Sequence, residues 1–269
     1  MAQPKDQLIP ANERVTFQLK VAGQGEPVVF LHGAGGLLWD PFLDALSDRF
    51  TVYAPFLPGT GNSTGLENIL GFWDLCLAYY DLFDKLGLES ASVVGHSLGG
   101  MIAAELAATD QSRVRRLGLI APAGLWLEET PIPDIFAMSP AELLSHVVAD
   151  VDSPLGKMMQ QTPSDIDALM EMTIARVQNM QAAAKFLWPI PDKGLKHRAY
   201  RIKAPTLLIW GKQDKLIPPV YADEFKRLIP EAQVTLIDNA SHLVTLEQTA
   251  PVIEALSGFL AKQPAAALA

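Results

Sequence analysis

Three residues of this chain, Ser97, Asp214 and His242, have types and surroundings suited to nucleophilic catalysis. A serine hydroxyl is a weak nucleophile at neutral pH. It needs a histidine within hydrogen-bond reach to take its proton, and an acid to orient that histidine. Ser97 lies in Gly95-His96-Ser97-Leu98-Gly99, between an apolar run, Ser92-Val93-Val94, and a small-residue stretch with helical character. A strand, a sharp turn and a helix are what hold a serine clear of a sheet, and glycines at 95 and 99 leave room for strand and helix to touch. The helix start also aims amide N–H groups and a positive dipole end at the hydroxyl, which favours a developing oxyanion.

The acid and the base come later in the chain, each just past an apolar run. Thr206 to Trp210 leads into Gly211-Lys212-Gln213-Asp214, and Val234 to Ile237 leads into Asp238-Asn239-Ala240-Ser241-His242. Side chains so placed emerge at the carboxyl edge of a parallel sheet, where open α/β folds bind ligands. Asp238 is the rival acid; it lies only four residues before His242 and at the strand's end, and Asp214 is preferred. A glycine-rich turn, His32-Gly33-Ala34-Gly35-Gly36, follows the early run Val28 to Leu31. Its amides could supply one oxyanion donor beside the amide of Leu98. The same glycines do not form a nucleotide loop, since no Gly-Lys-Ser/Thr follows and the Gly-x-Gly-x-x-Gly spacing is incomplete. His32 is expected to brace this turn, and His96 either lines the pocket or packs structurally.

The elements that must position these residues follow from periodicity. Apolar runs at 28–31, 51–54, 92–94, 117–120, 206–210 and 234–237 mostly lack polar alternation, as strands buried on both faces do. Residues 15–21 alternate and suit an edge strand. Helical patterns fill 69–86, 97–108, 219–228 and 251–262, with Leu75, Tyr79, Leu82 and Leu86 on one buried face. The expectation is an α/β fold, a mostly parallel sheet flanked by helices. Between Leu125 and Pro189 the alternation breaks; this stretch has helical patterns near 140–150 and 163–186 and holds methionines at 138, 158, 159, 170, 172 and 180. These are either ordinary core or an adaptable apolar wall over a site. Residues 264–269 read as a frayed tail.

Composition removes several function classes. The formal net charge of -9 over 269 residues repels phosphate backbones and anionic lipid surfaces, so neither nucleic acid nor membrane insertion is expected. No signal-peptide pattern opens the chain and no stretch of about twenty uninterrupted apolar residues follows, which leads us to expect a soluble, cytoplasmic protein. The lone cysteine, Cys76, lies in an apolar helical pattern and is expected to be core. Neither the histidine spacing nor any Cys-x-x-Cys suggests a metal site, so no metal is expected.

Together, His32 to Gly36, Pro58-Gly59-Thr60-Gly61-Asn62-Ser63, Gly95 to Gly100, Gly211 to Asp214 and Ser241-His242 resemble the α/β-hydrolase superfamily. That resemblance implies Ser97 as nucleophile, His242 as general base and acid, Asp214 as orienting acid, and the Ala34 and Leu98 amides as oxyanion hole. It also implies a core of residues 1–124 and 190–269, a helical cap at 125–189 after the sixth strand, and no cofactor. The expected activity is hydrolysis of a small to medium hydrophobic carboxylic ester. Arg176 with Asn179-Met180, and Ala121-Pro122-Ala123-Gly124-Leu125, resemble the meta-cleavage-product hydrolases, which cut carbon-carbon bonds. Leu243, where those enzymes tend to carry Trp, and His96, where they often carry Asn, depart from that pattern. Gly35, His96, Arg176 and Leu243 are the candidate substrate contacts; Arg176 could clamp a substrate carboxylate, against the commoner reading of a helical arginine as a solvated face. A ligand receptor without turnover is the reading from another class, and a homo-oligomer is left open.

Overall fold

The computed structural model describes residues 3–189 and 192–262. The expected tail at 264–269, and residue 190 at the expected return to the core, lie outside the described residues. Eight strands form one sheet: β1 (Lys5–Pro10), β2 (Thr16–Ala22), β3 (Pro27–Leu31), β4 (Thr51–Pro55), β5 (Ala91–His96), β6 (Val114–Ile120), β7 (Thr206–Gly211) and β8 (Gln233–Ile237). The spatial order is β1-β2-β4-β3-β5-β6-β7-β8. Pairs β1/β2 and β2/β4 are antiparallel, and every pair from β4/β3 to β7/β8 is parallel.

The apolar runs become strands because each can bury both faces. Along β3, Val29 and Leu31 join one core cluster while Val28 and Phe30 join the other; along β7, Leu208 and Trp210 oppose Leu207 and Ile209 in the same way. A period of two with both phases apolar is the mark of a sheet covered on both sides. One face packs on α1 (Pro41–Ser47) and α9 (Thr249–Leu260) through Phe42, Leu46, Leu256 and Phe259. The other packs on α2 (Phe72–Lys85), α3 (Leu98–Thr109) and α7 (Val220–Leu228) through Tyr79, Phe83, Ile102 and Phe225. Cys76 is buried in α2, and burial, with Glu105 nearby, pushes its thiol up to about 12.

Residues 15–21 do not lie at the edge. β1 pairs outside β2, with Lys5 opposite Val21 and Pro10 opposite Thr16. Its burial pattern is almost wholly exposed, so hydrophobic alternation could not reveal it. Asp40 caps α1 by accepting from the Leu43 amide, with Pro41 in the first turn, a start signal that a search for long periodic runs passes over.

After β6 the chain leaves the sheet and forms α4 (Pro140–Val147), α5 (Pro154–Gln160) and α6 (Ile166–Leu187) before returning at β7. A capping box at Ser139 and Glu142 opens α4, and Ser153 and Asp165 cap α5 and α6. Only Ala182, Ala183 and Phe186 of α6 are buried, all in its last turns. A last short helix, α8 (Val244–Glu247), follows His242. Among the described residues no helix is long and apolar enough to cross a membrane.

Candidate active site

The centre of the sheet sets the position of Ser97. Strands β3 and β4 run to one side and β5 crosses to the other, so a crevice opens past the carboxyl ends of β3 and β5. Ser97 sits between β5 and α3 with φ 55° and ψ −117°, a conformation costing a non-glycine residue about 1–3 kcal/mol. The surroundings enforce it. The Ser97 amide donates to the Ile120 carbonyl at 3.0 Å, and its own carbonyl accepts from Met101 and Ala123. A Cβ at Gly95 would lie 2.2 Å from the Gly99 carbonyl oxygen, and one at Gly99 would lie 2.0 Å from that of Leu31. Both glycines are therefore steric requirements of the turn. Ser97 occupies the N-cap of α3, yet its hydroxyl makes no capping hydrogen bond. Leu98 begins the helix, where amides have no intrahelical partner.

His242 and Asp214 form a buried pair. His242 Nδ1–H donates to Asp214 Oδ2 at 2.9 Å, which leaves Nε2 as the free ring nitrogen. Asp214 Oδ1 accepts from the amides of Leu216 at 2.9 Å and Ile217 at 2.8 Å. The Trp210 indole in turn donates to the Ile217 carbonyl at 2.8 Å, tying the acid's loop to β7. Asp238 is elsewhere: exposed, and paired with Lys212 at 2.7 Å. The loops carrying Asp214 and His242 approach closely because residue 211 is glycine. A Cβ there would fall 2.3 Å from the Ser241 carbonyl oxygen and 2.4 Å from that of Ala240. Among the described residues no hydrogen bond joins His242 to Ser97, but both border one cavity of about 720 Å³.

Two further histidines hold the backbone around this pair. His32 Nε2 accepts from the Leu57 amide at 3.0 Å, so the ring proton is on Nδ1, which donates to the Gly33 carbonyl at 2.7 Å. Burial lowers its pKa to about 4. His96 Nε2 donates to the His242 carbonyl at 2.9 Å, and its ring lies 4.9 Å from that of His242, centroid to centroid. Burial first, and the neighbouring His242 second, lower its pKa to about 3. Both rings are therefore neutral at physiological pH. His96 also borders the cavity, so the two roles considered for it from sequence coincide.

Of the other sequence candidates, Ala34, Gly35, Arg176 and Leu243 all line the cavity; Leu98 does not, and its side chain is fully buried. The wall comes largely from the insertion: Leu143, Leu144 and Val147 of α4, and Met172, Arg176 and Met180 of α6. Met159, Met172 and Met180 face the cavity while Met158 and Met170 are exposed, so none of these five is ordinary core.

One residue that the sequence did not single out is Glu247. Its carboxylate accepts from the Ser241 amide and from the Ala149 amide, each at 2.7 Å, linking the residue before His242 to the chain just after α4. Leu243 N–H donates to the Val147 carbonyl at 2.9 Å, and the Ser241 hydroxyl to the His146 carbonyl at 3.0 Å. A Glu five residues after a candidate base is a usable signal only once that base is located.

A family model described as alpha/beta hydrolase fold matches residues 26–249, which span the elbow, the acid and the histidine. The chain belongs to the α/β-hydrolase family. It is 31% identical over 251 residues to the dihydrolipoyllysine-residue acetyltransferase component of the acetoin cleaving system of Cupriavidus necator, covering 87% of this chain. The match spans 63% of that relative, less than two thirds of its length. This α/β hydrolase is also 26% identical over 235 residues to the pimeloyl-(acyl-carrier protein) methyl ester esterase of Vibrio cholerae, covering 83% of this chain and 89% of that one. The structure of carboxylesterase CesB from Bacillus subtilis superposes with a TM-score of 0.78 at 23% identity, over 97% of this chain and 93% of that one; this likeness shows the fold alone.

Proposed function

We propose that the protein hydrolyses small to medium, largely apolar carboxylic esters through an acyl-enzyme on Ser97. The observation that carries this reading is a strained, uncapped serine opening into the same apolar cavity as a histidine whose Nδ1 is held by a buried carboxylate. Similarity to a methyl ester esterase supports an ester as the bond cleaved.

In this reading Ser97 Oγ attacks the ester carbonyl carbon as its proton passes to His242 Nε2. The carbonyl oxygen becomes an oxyanion held by the Leu98 and Ala34 amides. Asp214 stays ionised and stabilises the imidazolium, which then protonates the departing alkoxide. A water, deprotonated by His242, attacks the acyl carbon; collapse of the second tetrahedral intermediate releases the acid and returns the proton to Ser97. Contact between nucleophile and base tightens in the reacting complex, as is common for catalytic hydrogen bonds that are loose in the free enzyme.

Ser97→Ala is expected to lower p-nitrophenyl ester turnover on the order of 10⁴- to 10⁶-fold and to abolish fluorophosphonate labelling. Retention of most turnover would overturn the assignment. A second reading, hydrolysis of a carbon-carbon bond in a carboxylate-bearing vinylogous diketone, is favoured by Arg176, the one guanidinium among the described lining residues. Turnover of a coloured meta-cleavage dienol, reduced in Arg176→Ala, would support it; ester turnover alone would remove it.

A further inference from the structure

The polar groups of the glycine-rich turn are fixed from below or behind. The Gly33 carbonyl accepts from His32 Nδ1 at 2.7 Å and from the Gly36 amide at 3.1 Å. Because a trans peptide points its N–H opposite its C=O, pinning the Gly33 carbonyl turns the Ala34 N–H away from those donors. The next carbonyl held in the turn, that of Gly35, has its partner in the insertion: Asn179 Nδ2–H donates to it at 2.9 Å. Gly36 takes φ +93°, and a Cβ there would stand 2.2 Å from Asn179 Nδ2, so a side chain at 36 would push the asparagine amide off this position.

Asn179 also stands at a boundary within α6. Downstream, Ala182, Ala183 and Phe186 are buried and Lys185 Nζ donates to the Leu66 carbonyl at 2.6 Å, anchoring the helix. Upstream no residue of α6 is buried, yet Met172 and Arg176 on this arm line the cavity. Arg176 precedes Asn179 by three positions and Met172 precedes Arg176 by four, spacings that stack side chains along one side of a helix. A ligand pressing on this arm therefore acts one turn from the bond that holds Gly35.

We propose that Asn179 is a positioning residue: it holds the oxyanion turn in its donating geometry and makes that geometry depend on how the α6 arm is seated over the cavity. The proposal rests on the reading of Ala34 as an oxyanion donor to an ester attacked by Ser97. Its test uses the full chain and the variants Asn179→Ala, Asn179→Asp and Asn179→Gln, with p-nitrophenyl butyrate as substrate. Removing an oxyanion donor costs about 10²- to 10³-fold, and misaligning one should cost less. Expected for Ala and Asp is a fall in kcat of about 10- to 100-fold with KM changed less than about threefold, and partial recovery in Gln, which keeps the amide.

The readout that a purely structural role would not move is affinity for a trifluoromethyl ketone, whose serine adduct carries the oxyanion. Its Ki should weaken in step with kcat across the three variants, while the Ki of butyrate as a product inhibitor holds within about threefold. Wild-type kcat and ketone affinity in both Ala and Asp variants would overturn the proposal while leaving the Ser97 reading intact. Full turnover in Ser97→Ala would overturn both.

Discussion

The loop carrying His242 is tied to the end of α4 by three hydrogen bonds, Leu243 to Val147, Ser241 to His146 and Ala149 to Glu247, and Glu247 also grips Ser241. The turn at Gly33 to Gly36 meets α6 through Asn179 alone among the hydrogen bonds of the described residues. Under each half lies a neutral histidine, His96 beneath the base loop and His32 beneath the turn. The half carrying the proposed base is thus built as a fixed piece of the fold, whereas the half carrying the proposed oxyanion turn is held to the insertion through a single side chain. Rigid placement suits a proton acceptor, where an error of about 1 Å can cost 10²-fold. The turn needs its full alignment only when charge develops.

The largest effect should come from breaking the base half at its deepest point. In Asp214→Asn the amide oxygen can still accept from Leu216 and Ile217, but an N–H then faces His242 Nδ1. His242 would switch tautomer, carry its proton on Nε2 and be unable to accept one from Ser97. We expect kcat to fall about 10⁴-fold with the fold preserved. Steady-state kinetics beside near-UV circular dichroism will check this, and a loss below about tenfold would remove Asp214 from the site.

Acid tests both halves together. His32 and His96 are neutral in the fold, with pKa values of about 4 and about 3, whereas an unfolded histidine titrates near 6.5. Their folded values are depressed, so between about pH 6.5 and pH 4 the unfolded chain binds more protons and stability falls with falling pH. Each histidine should withdraw on the order of 2 kcal/mol between pH 6.5 and pH 5, at 1.36 kcal/mol per unit. The loss from His96 continues to lower pH than that from His32. Urea unfolding at pH 7, 6 and 5 measures it, and His96→Asn should flatten the slope. A midpoint unchanged from pH 7 to pH 5 would show that these rings are not held neutral.

What the sequence made legible follows the same division. The placement of Ser97, Asp214 and His242 past strand ends was readable because each follows an apolar run, and strand ends are marked by hydrophobicity that the sheet's two buried faces demand. Two helices of the insertion were readable from periodicity, since α4 and α6 begin within three residues of their expected starts, whereas the short α5 between them was not expected. Three things were not. β1 is exposed along its length and left no alternation. Gly211 looked like an ordinary turn glycine, and only the carbonyls of Ala240 and Ser241 across the loop show why a side chain is excluded. Glu247 reaches the Ala149 amide and Asn179 the Gly35 carbonyl, backbone atoms far away in the chain, and a backbone partner leaves no residue type to recognise.

Glu247→Gln should sharpen the comparison by loosening the base half alone. The carboxylate accepts from two amides at once, and a glutamine can offer only one oxygen, leaving one N–H of Ser241 or Ala149 unmatched. His242 would shift with its loop while Asp214 stays in place. We expect kcat to fall about 10- to 100-fold, with KM also rising as the α4 wall moves. Glu247→Ala should do so more strongly. If Glu247→Gln matches wild type in both constants, the three remaining contacts suffice and the base half is over-determined.

The smallest effect on kcat/KM is expected from Gly36→Ala, which leaves KM nearly unchanged, and its form matters more than its size. The left-handed backbone at φ +93° should cost about 1–2 kcal/mol in stability for any residue with a Cβ. The new methyl also displaces the Asn179 amide, so turnover should fall about as far as in Asn179→Ala. In the double variant Gly36→Ala, Asn179→Ala the clash is gone while the backbone strain persists. Stability should then stay near that of Gly36→Ala, and turnover should be no lower than in the worse single variant, because both changes break one bond. Losses in turnover that multiply across the pair would mean that Gly36 and Asn179 act on the turn separately, and the oxyanion half would have a second support still to be found.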